Sequence, residues 1–240
     1  MTEFLEVEGA SKTFGGVRAV DGMDIKLAEG QICGLIGPNG SGKTTLLGLL
    51  SGTYRPDRGT IKLRGQRLDG LSTHRTVQQG VARTFQTSRL FFRWPLGANL
   101  AAAAAARLLT STGDDADGGQ EKLLALVGLA GRGDVVCSSL SNAEQRLAML
   151  AVALATRPHL LLLDEPAVGM SPAETVALGQ VIQRIRGELG VTVLIVEHNM
   201  HFMMGLADRI VAMNAGRKLA EGTPAEIRGN PDVIAAYLGS

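Results

Sequence analysis

Residues 37–44 read Gly37-Pro38-Asn39-Gly40-Ser41-Gly42-Lys43-Thr44, which matches the pattern G-x-x-x-x-G-K-[ST] of a phosphate-binding loop. The mainly apolar residues 31–36 before the pattern predict a strand, and the mainly apolar residues 45–50 after it predict the first turns of a helix. Both flanks that such a loop needs are therefore present. The alternative, an ordinary glycine-rich turn, would not explain this order of strand, loop and helix.

The residue types in this loop suit a polyphosphate. Its glycines allow backbone N–H groups to converge on a β-phosphate, because no Cβ stands in the way. Lys43 would place its ammonium between the β- and γ-phosphates, and Thr44 would offer a hydroxyl to Mg²⁺. The positive end of the following helix would add to this attraction.

The composition fits a chain with one sizeable core. There are 240 residues, and the formal net charge is +1 at pH 7. Because the basic residues are scattered, the sequence gives no electrostatic reason to expect nucleic acid as a partner. Cys33 and Cys137 lie far apart without His or Cys at metal-ligand spacing. We predict that both are buried thiols in a reducing compartment and that they form no zinc site.

The sequence contains no apolar run as long as a bilayer span, and its first residues lack the basic and apolar regions of a signal peptide. We therefore expect a cytosolic chain. Any membrane role would come through a partner that spans the bilayer.

The order of predicted elements indicates an α/β fold. Residues 5–26 alternate apolar and polar, with turn signals at Gly15-Gly16 and Asp21-Gly22, which predicts antiparallel strands. An alanine- and leucine-rich helical insert follows from about residue 87 to residue 140, broken by a polar loop at 112–119. Residues 159–163 and 191–196 are continuous apolar runs, which are typical of parallel strands buried on both faces.

Two acidic residues end the first of these apolar runs. Asp164 suits the binding of Mg²⁺, directly or through water, and Glu165 suits the polarisation of a water that attacks the γ-phosphate. Taken alone, two adjacent acids after a strand more often begin a helix. The phosphate-binding loop upstream favours the functional interpretation.

Two further polar residues follow predicted strands. His198 comes after the second apolar run, from where it could touch the same γ-phosphate, although a lone histidine there would otherwise be a solvated loop residue. Gln86 stands where the sheet gives way to the helical insert. A glutamine at this place has no significance without a family to supply one.

Together these motifs resemble the ATP-binding subunits of ABC transporters, over essentially the whole chain. The matching segments are Walker A at 37–45, the Q-loop Gln86, the signature position at 140–145, Walker B at 160–165, the D-loop at 167–172 and the switch His198. Finer features at 80–86, 196–200 and 221–239 resemble the ATPase subunits of branched-chain amino acid importers.

The resemblance implies an α/β P-loop NTPase fold, an ABC ATPase core with a mixed or parallel sheet, N-terminal antiparallel strands and a helical subdomain. Residues 1–240 would form a single ABC ATPase domain. Within it, residues 1–86 and 150–240 would form the RecA-like core with the antiparallel strands, and residues 87–149 would form the helical subdomain.

The resemblance also implies ATP and Mg²⁺ as cofactors and assigns roles to single residues. Phe14 would stack on adenine, and Thr45 would join residues 37–44 around the phosphates. Gln86 would contact Mg²⁺ and take part in catalysis with Glu165 and His198. Ser141 and Ala143, at the signature position, would contact the nucleotide bound by the opposite subunit.

By the same resemblance, the partners would be a second ATPase subunit in a homo- or heterodimer, transmembrane permease subunits and, indirectly, a solute-binding protein. The chain would be peripheral, on the cytoplasmic face of the inner (plasma) membrane. Permease helices would dock beside residues 87–94, where Phe91, Phe92 and Trp94 are candidates for exposed aromatic side chains. Core packing is the alternative explanation for these three residues.

One departure from the family pattern lies in the signature. The family has Leu-Ser-Gly-Gly-Gln, whereas this chain has Asn142, Ala143 and Glu144 in place of the two glycines and the glutamine. The Cβ of Ala143 would crowd the approach of a backbone N–H to the γ-phosphate, which predicts slower turnover at that site. Residues 141–144 also match the capping-box pattern S-x-x-E, and we expect Glu144 to cap the helix because a carboxylate facing phosphate would be repelled.

These observations favour an importer subunit that binds and hydrolyses MgATP at a head-to-tail dimer interface and drives uptake of branched-chain amino acids or similar small polar solutes. The alternative is a regulatory, mainly nucleotide-binding subunit whose altered signature weakens hydrolysis. A soluble ABC protein that acts on nucleic acid or ribosomes is disfavoured by the single nucleotide-binding unit and the lack of a basic patch.

Overall fold

The computed structural model describes residues 4–84, 90–108 and 116–238, with the side chains of 106–108, 116–118 and 238 left aside. Within these ranges the strands are β1 (Leu5–Phe14), β2 (Val17–Leu27), β3 (Ile32–Ile36), β4 (Arg58–Leu63), β5 (Gln66–Arg67), β6 (Val81–Arg83), β7 (Leu160–Asp164), β8 (Thr192–Val196), β9 (Arg209–Asn214) and β10 (Arg217–Gly222). The α-helices are α1 (Lys43–Leu50), α2 (Thr73–Gln78), α3 (Leu96–Leu108), α4 (Ala116–Leu126), α5 (Asn142–Ala155), α6 (Pro172–Leu189), α7 (Met200–Leu206), α8 (Pro224–Arg228) and α9 (Pro231–Leu238).

The central sheet has six strands in the order β10-β9-β3-β8-β7-β6. Its neighbours pair in parallel, except for the antiparallel hairpin of β9 and β10. Every residue of β3, β7 and β8 is buried, as continuous apolar runs predict for strands covered on both faces. The mixed, mainly parallel sheet predicted from the sequence is confirmed.

The register brings three strands of this sheet to the same level. Val196 in β8 pairs with Leu35 in β3 on one side and with Asp164 in β7 on the other. The loops that follow β3, β7 and β8 therefore leave the sheet side by side. In α/β sheets this edge, at the carboxyl ends of the strands, is where ligands bind.

The second sheet is antiparallel, in the order β2-β1-β4-β5. The predicted turn at Gly15-Gly16 is present, but the turn predicted at Asp21-Gly22 is wrong, because β2 runs through these residues. The register between β1 and β2 shifts here, and the Gly22 N–H donates to Ser11 Oγ at 2.9 Å. A β-bulge thus uses the glycine without ending the strand.

The helical part contains α3, α4 and α5, which pack on one another. Helix α4 begins at Ala116, inside the segment predicted as a polar loop, so that part of the loop prediction is wrong. Helix α5 is continuous from Asn142 to Ala155. The division into a core and a helical subdomain at 87–149 stays a prediction.

Apolar side chains cover both faces of the central sheet. One cluster includes β-strand residues together with residues of α3 to α9, and the other joins the central sheet to α1 and to the antiparallel sheet. Cys33 and Cys137 are buried and free, as predicted. Burial raises the pKa of the Cys33 thiol to about 12.

In the described parts of the chain, we find no helix with both the length and the apolar character needed to cross a membrane.

Candidate functional site

The loop between β3 and α1 folds around the side chain of Lys43. Its ammonium donates to the carbonyl oxygens of Gly37 at 2.7 Å and Pro38 at 3.0 Å, and it lies 3.5 Å from Ser41 Oγ. Lys43 is 6% exposed. The loop carbonyls therefore supply the hydrogen bonds that a buried ammonium requires.

The charge of Lys43 reflects two opposed effects. Burial lowers its pKa below the usual value, while the negative charges of Glu165 and Asp164 raise it. These two carboxylates come from the end of β7. The ammonium and the two acids predicted from the sequence therefore act on one another across the same edge of the sheet.

Two glycines of the loop allow close contacts that a side chain would prevent. A Cβ on Gly37 would overlap the backbone oxygen of Met213, and a Cβ on Gly42 would overlap the backbone oxygen of Ala19. Gly42 has φ 101° and immediately precedes α1. The loop can therefore lie directly against β9 on one side and β2 on the other.

Asp164 is held by a buried ion pair that the sequence did not reveal. Its Oδ2 accepts from Nη2 of Arg83 at 2.8 Å, and the two side chains are 3% and 7% exposed, respectively. Arg83 also donates to Ser51 Oγ at 3.4 Å, at the end of α1. Arg83 thus ties the carboxylate after β7 to the helix that follows the phosphate loop.

The second oxygen of Asp164 is suited to a cation. Among the described residues, none donates a hydrogen bond to its Oδ1, although this atom is buried. A buried carboxylate oxygen without a donor is unfavourable unless a cation or another donor approaches it. Asp164 and the exposed Thr44 are oxygen donors of the kind that Mg²⁺ prefers, so these residues fit the predicted metal.

Glu165 and His198, which are both predicted to act at the γ-phosphate, lie close together. Glu165 Oε2 lies 3.4 Å from His198 Nε2. The backbone of Glu165 has φ 51°, a left-handed conformation that is costly for a residue with a side chain. Its N–H donates to the Val196 carbonyl at 2.9 Å, which fixes the turn after β7 against the end of β8.

Glu197 is a residue of this region that sequence reasoning missed. Its carboxylate is 1% exposed and accepts from the backbone N–H groups of Ala167 at 2.8 Å, His198 at 3.0 Å and Asn199 at 3.3 Å. It therefore joins the loop after β7 to the loop that carries His198. The available signal was an acid placed directly after a buried, mainly apolar strand, since a buried carboxylate requires hydrogen-bond donors.

Phe14, the predicted adenine platform, ends β1 and is 41% exposed. Its ring meets the edge of Tyr54 with the ring centroids 5.0 Å apart, and the Lys12 ammonium lies 5.5 Å from its centroid. Tyr54 in turn lies against Gly48 of α1, where a Cβ would strike the ring. Phe14 is thus exposed beside the helix that follows the phosphate loop.

The altered signature forms the start of α5, outside the group of strand ends. Ser141 Oγ accepts from the Glu144 N–H at 3.3 Å, and Glu144 Oε2 accepts from the Ser141 N–H at 2.8 Å. Glu144 also pairs with Arg132. The hydrogen bond from the Ser141 N–H lowers the pKa of this carboxyl most strongly. The capping-box prediction is therefore confirmed.

Gln86 lies outside the described residues, so its predicted contacts stay a prediction.

Phe91, Phe92 and Trp94 are 56%, 39% and 47% exposed, and the rings of Phe91 and Trp94 stack with centroids 4.7 Å apart. Core packing is therefore the wrong explanation for these aromatic residues.

Comparison with family models gives two matches. The model of the ABC transporter family matches residues 20–168. The model of the C-terminal region of branched-chain amino acid ATP-binding cassette transporters matches residues 217–240.

Relatives align over nearly the whole chain. The high-affinity branched-chain amino acid transport ATP-binding protein BraF of Pseudomonas aeruginosa is 41% identical, over 98% of this chain and 97% of that protein. LivG of Escherichia coli, which carries the same description, is 41% identical with the same coverage. Among solved structures, a nucleotide-free ATP-binding cassette from an ABC transporter is 25% identical with a TM-score of 0.89, and all of both chains is covered.

The position of Glu197 leads to a test by substitution. Glu197→Gln replaces the carboxylate that accepts from three backbone N–H groups by a neutral amide. We expect this change to lower the free energy of unfolding by about 1–3 kcal/mol. Amide exchange of Ala167 and Asn199 should become faster, because local opening no longer breaks charge-assisted bonds. Hydrogen exchange and chemical denaturation measure these effects.

Glu188→Gln is the matched control, because Glu188 is an exposed glutamate of α6. It should leave stability and both exchange rates unchanged. If Glu197→Gln behaved like this control, Glu197 would not join the two loops.

Proposed function

The chain belongs to the ABC transporter family of ATPases, and from this premise we propose that it is the ATP-hydrolysing subunit of an importer for branched-chain amino acids or similar small polar solutes. The observation that carries the proposal is the convergence of Lys43, the carboxylates of Asp164 and Glu165, and His198 at one edge of the sheet. Phosphate binding and water activation need these groups close together.

In this proposal the loop at residues 37–44, with Thr45, binds the triphosphate. Lys43 exchanges the carbonyls of Gly37 and Pro38 for the β- and γ-phosphates. Lys43 is buried, and its bonds to the loop carbonyls keep the ammonium close to where the phosphates would lie. The side chain therefore needs little reorganisation when a nucleotide binds. Phe14 offers an exposed ring for the adenine base.

Asp164 and Thr44 are the described residues that would hold Mg²⁺, with Gln86 as a third ligand by family resemblance. When bound, the ion would neutralise charge on the phosphate oxygens. Asp164 is oriented for this role, because Arg83 occupies its Oδ2 and leaves Oδ1 without a hydrogen-bond donor among the described residues.

Glu165 is the proposed base, since it would accept a proton from the attacking water. His198 would contact the γ-phosphate, and the 3.4 Å separation of its Nε2 from Glu165 keeps the two groups at one reaction centre. The carboxylate of Glu197 accepts a hydrogen bond from the His198 N–H and so fixes the backbone of His198. Gln86 belongs to this catalytic group by family resemblance.

ABC cassettes form dimers, and we propose that this chain pairs head to tail with a second ATPase subunit. Ser141 and Ala143 would then face the nucleotide that the opposite subunit binds. The capping box engages the N–H groups of Ser141 and Glu144 within the chain itself. The signature of this chain therefore offers fewer free donors to a phosphate, which supports slower turnover at the partner's site.

The permease subunits would dock on the helical part, at residues 87–149. Phe91, Phe92 and Trp94 expose aromatic surface there, a residue type enriched at the centres of protein interfaces. Docking would hold the chain at the cytoplasmic face of the inner membrane as a peripheral subunit. A solute-binding protein would deliver the solute to the permease.

The relatives support the importer over the regulatory alternative. BraF and LivG are described as transport ATP-binding proteins, and both align over 98% of this chain. The altered signature is the feature that motivated the alternative, and slower turnover at one site is compatible with transport. The third interpretation, action on nucleic acid, has no support from the net charge of +1.

Lys43→Ala tests the assignment of the phosphate loop. We expect the variant to bind ATP about 10- to 100-fold more weakly, because a charged hydrogen-bond donor to the phosphates is lost. Hydrolysis should fall to background. Isothermal titration with ATP measures affinity, and wild-type affinity in this variant would contradict the assignment.

Glu165→Gln separates binding from hydrolysis. The amide cannot accept the proton of the attacking water, so we expect kcat to fall by about 10²–10⁴-fold while ATP affinity is kept. ATP-dependent dimers should therefore accumulate on size-exclusion chromatography. Hydrolysis at the wild-type rate would show that another group is the base.

The signature can be tested with the capping box left intact. Asn142→Gly with Ala143→Gly removes both Cβ atoms and keeps Glu144 in its bonds to Ser141 and Arg132. We expect faster turnover at the partner's site, because the backbone can approach the γ-phosphate more closely. The measurement is single-site kinetics in a heterodimer in which this chain also carries Glu165→Gln, so that only the partner's site turns over.

Glu144→Gln is the matched comparison for this experiment. It alters the carboxylate and keeps both Cβ atoms, so we expect no gain in rate at the partner's site. An unchanged rate in the glycine variant would show that Ala143 does not obstruct the phosphate.

A further inference from the structure

The last helix of the chain reaches back to the first residue of the phosphate loop. The Gly37 N–H donates to the hydroxyl of Tyr237 at 2.8 Å, across 200 residues of sequence. Gly37 itself is buried and has φ 150°. Nothing in the family pattern of nucleotide-binding motifs gave a role to this tyrosine.

Helix α9 is held firmly enough to place the hydroxyl. Asn230 caps its start, since its Oδ1 accepts from the N–H groups of Asp232 at 2.9 Å and Val233 at 3.1 Å. Pro231 opens the helix, where its missing N–H has no cost. Val233 is buried in the core, and the helix packs against α8 and β10.

Both backbone polar groups of Gly37 are engaged by side chains. Tyr237 accepts from its N–H, and Lys43 donates to its carbonyl oxygen at 2.7 Å. The second bond is the one that nucleotide binding would break, because the proposed function moves the Lys43 ammonium to the phosphates. The bond to Tyr237 involves the other side of Gly37 and can persist.

We propose that Tyr237 is a positioning residue of the nucleotide site, which anchors the entrance of the phosphate loop when Lys43 turns to the phosphates. This inference rests on the proposed function. The anchor matters more in the bound state, where Lys43 no longer holds Gly37, than in the free state, where it does. Loss of the hydroxyl therefore costs affinity as well as stability.

The coupling works in both directions. If the bond from Gly37 to Tyr237 strengthens nucleotide binding by some factor, nucleotide must strengthen the docking of α9 by the same factor. The C-terminal helix thus becomes more protected when the site is filled. This helix lies within residues 217–240, which the branched-chain family model matches. The amide protection of its residues would therefore depend on whether nucleotide is bound.

Tyr237→Phe is the test, because it removes the hydroxyl and keeps the ring that packs on the core. In buffer with EDTA, where no hydrolysis occurs, we expect Kd to rise about fivefold, or about 1 kcal/mol, for ATP and ADP alike. Inorganic tripolyphosphate should show the same rise, since the anchor acts on the phosphate loop. Isothermal titration on the full chain measures all three ligands.

Ile234→Ala is the matched control, because Ile234 is an exposed residue of the same helix. Its Kd values should equal those of the wild type. Hydrogen exchange supplies a second measurement, which does not depend on nucleotide affinity. In the wild-type chain, ATP should slow the amide exchange of residues 233–237 about fivefold, and this protection should disappear in Tyr237→Phe.

The outcomes separate the inference from the proposed function. A wild-type chain that binds neither ATP nor tripolyphosphate would contradict the proposed function. Wild-type binding that is unchanged by Tyr237→Phe would contradict the inference alone, and would leave the tyrosine a structural role measured by thermal unfolding. A rise in Kd for ATP and ADP without one for tripolyphosphate would also overturn it, because the effect would then lie at the base.

Discussion

The parallel pairing of β3, β8 and β7 is the constraint on which the candidate site depends. Val196 shares one row with Leu35 and Asp164, so three loops leave the sheet at one level. A buried strand cannot shift by one residue relative to its neighbour without moving each of its side chains to the other face of the sheet. Fixed register therefore sets the spacing of the loop lysine, the acids after β7 and the histidine after β8.

The sequence predicted the parts of the site whose signal is local. The phosphate loop, the buried strands and the capping box at Ser141 each occupy a few consecutive residues with a distinctive pattern. The predicted turn at Asp21-Gly22 failed because a glycine serves a bulge as well as a turn, and the two differ only in what the partner strand does.

The long-range hydrogen bonds that position the site residues could not be predicted from the sequence. Arg83 meets Asp164 across 81 residues, Glu197 meets Ala167 across 30, and Tyr237 meets Gly37 across 200. A local pattern can mark a buried acid such as Glu197, but it does not identify the partner. Such pairs are specified by the packing of the whole chain.

The left-handed backbone of Glu165 sets stability against reactivity at a single position. Holding a residue with a side chain at φ 51° costs about 1–3 kcal/mol, which the surrounding fold must supply. Glycine would relax that backbone and would also delete the carboxylate. Selection for a more stable fold would favour glycine at position 165, whereas selection for a working acid favours glutamate. The chain keeps the glutamate, and this choice lowers its free energy of unfolding.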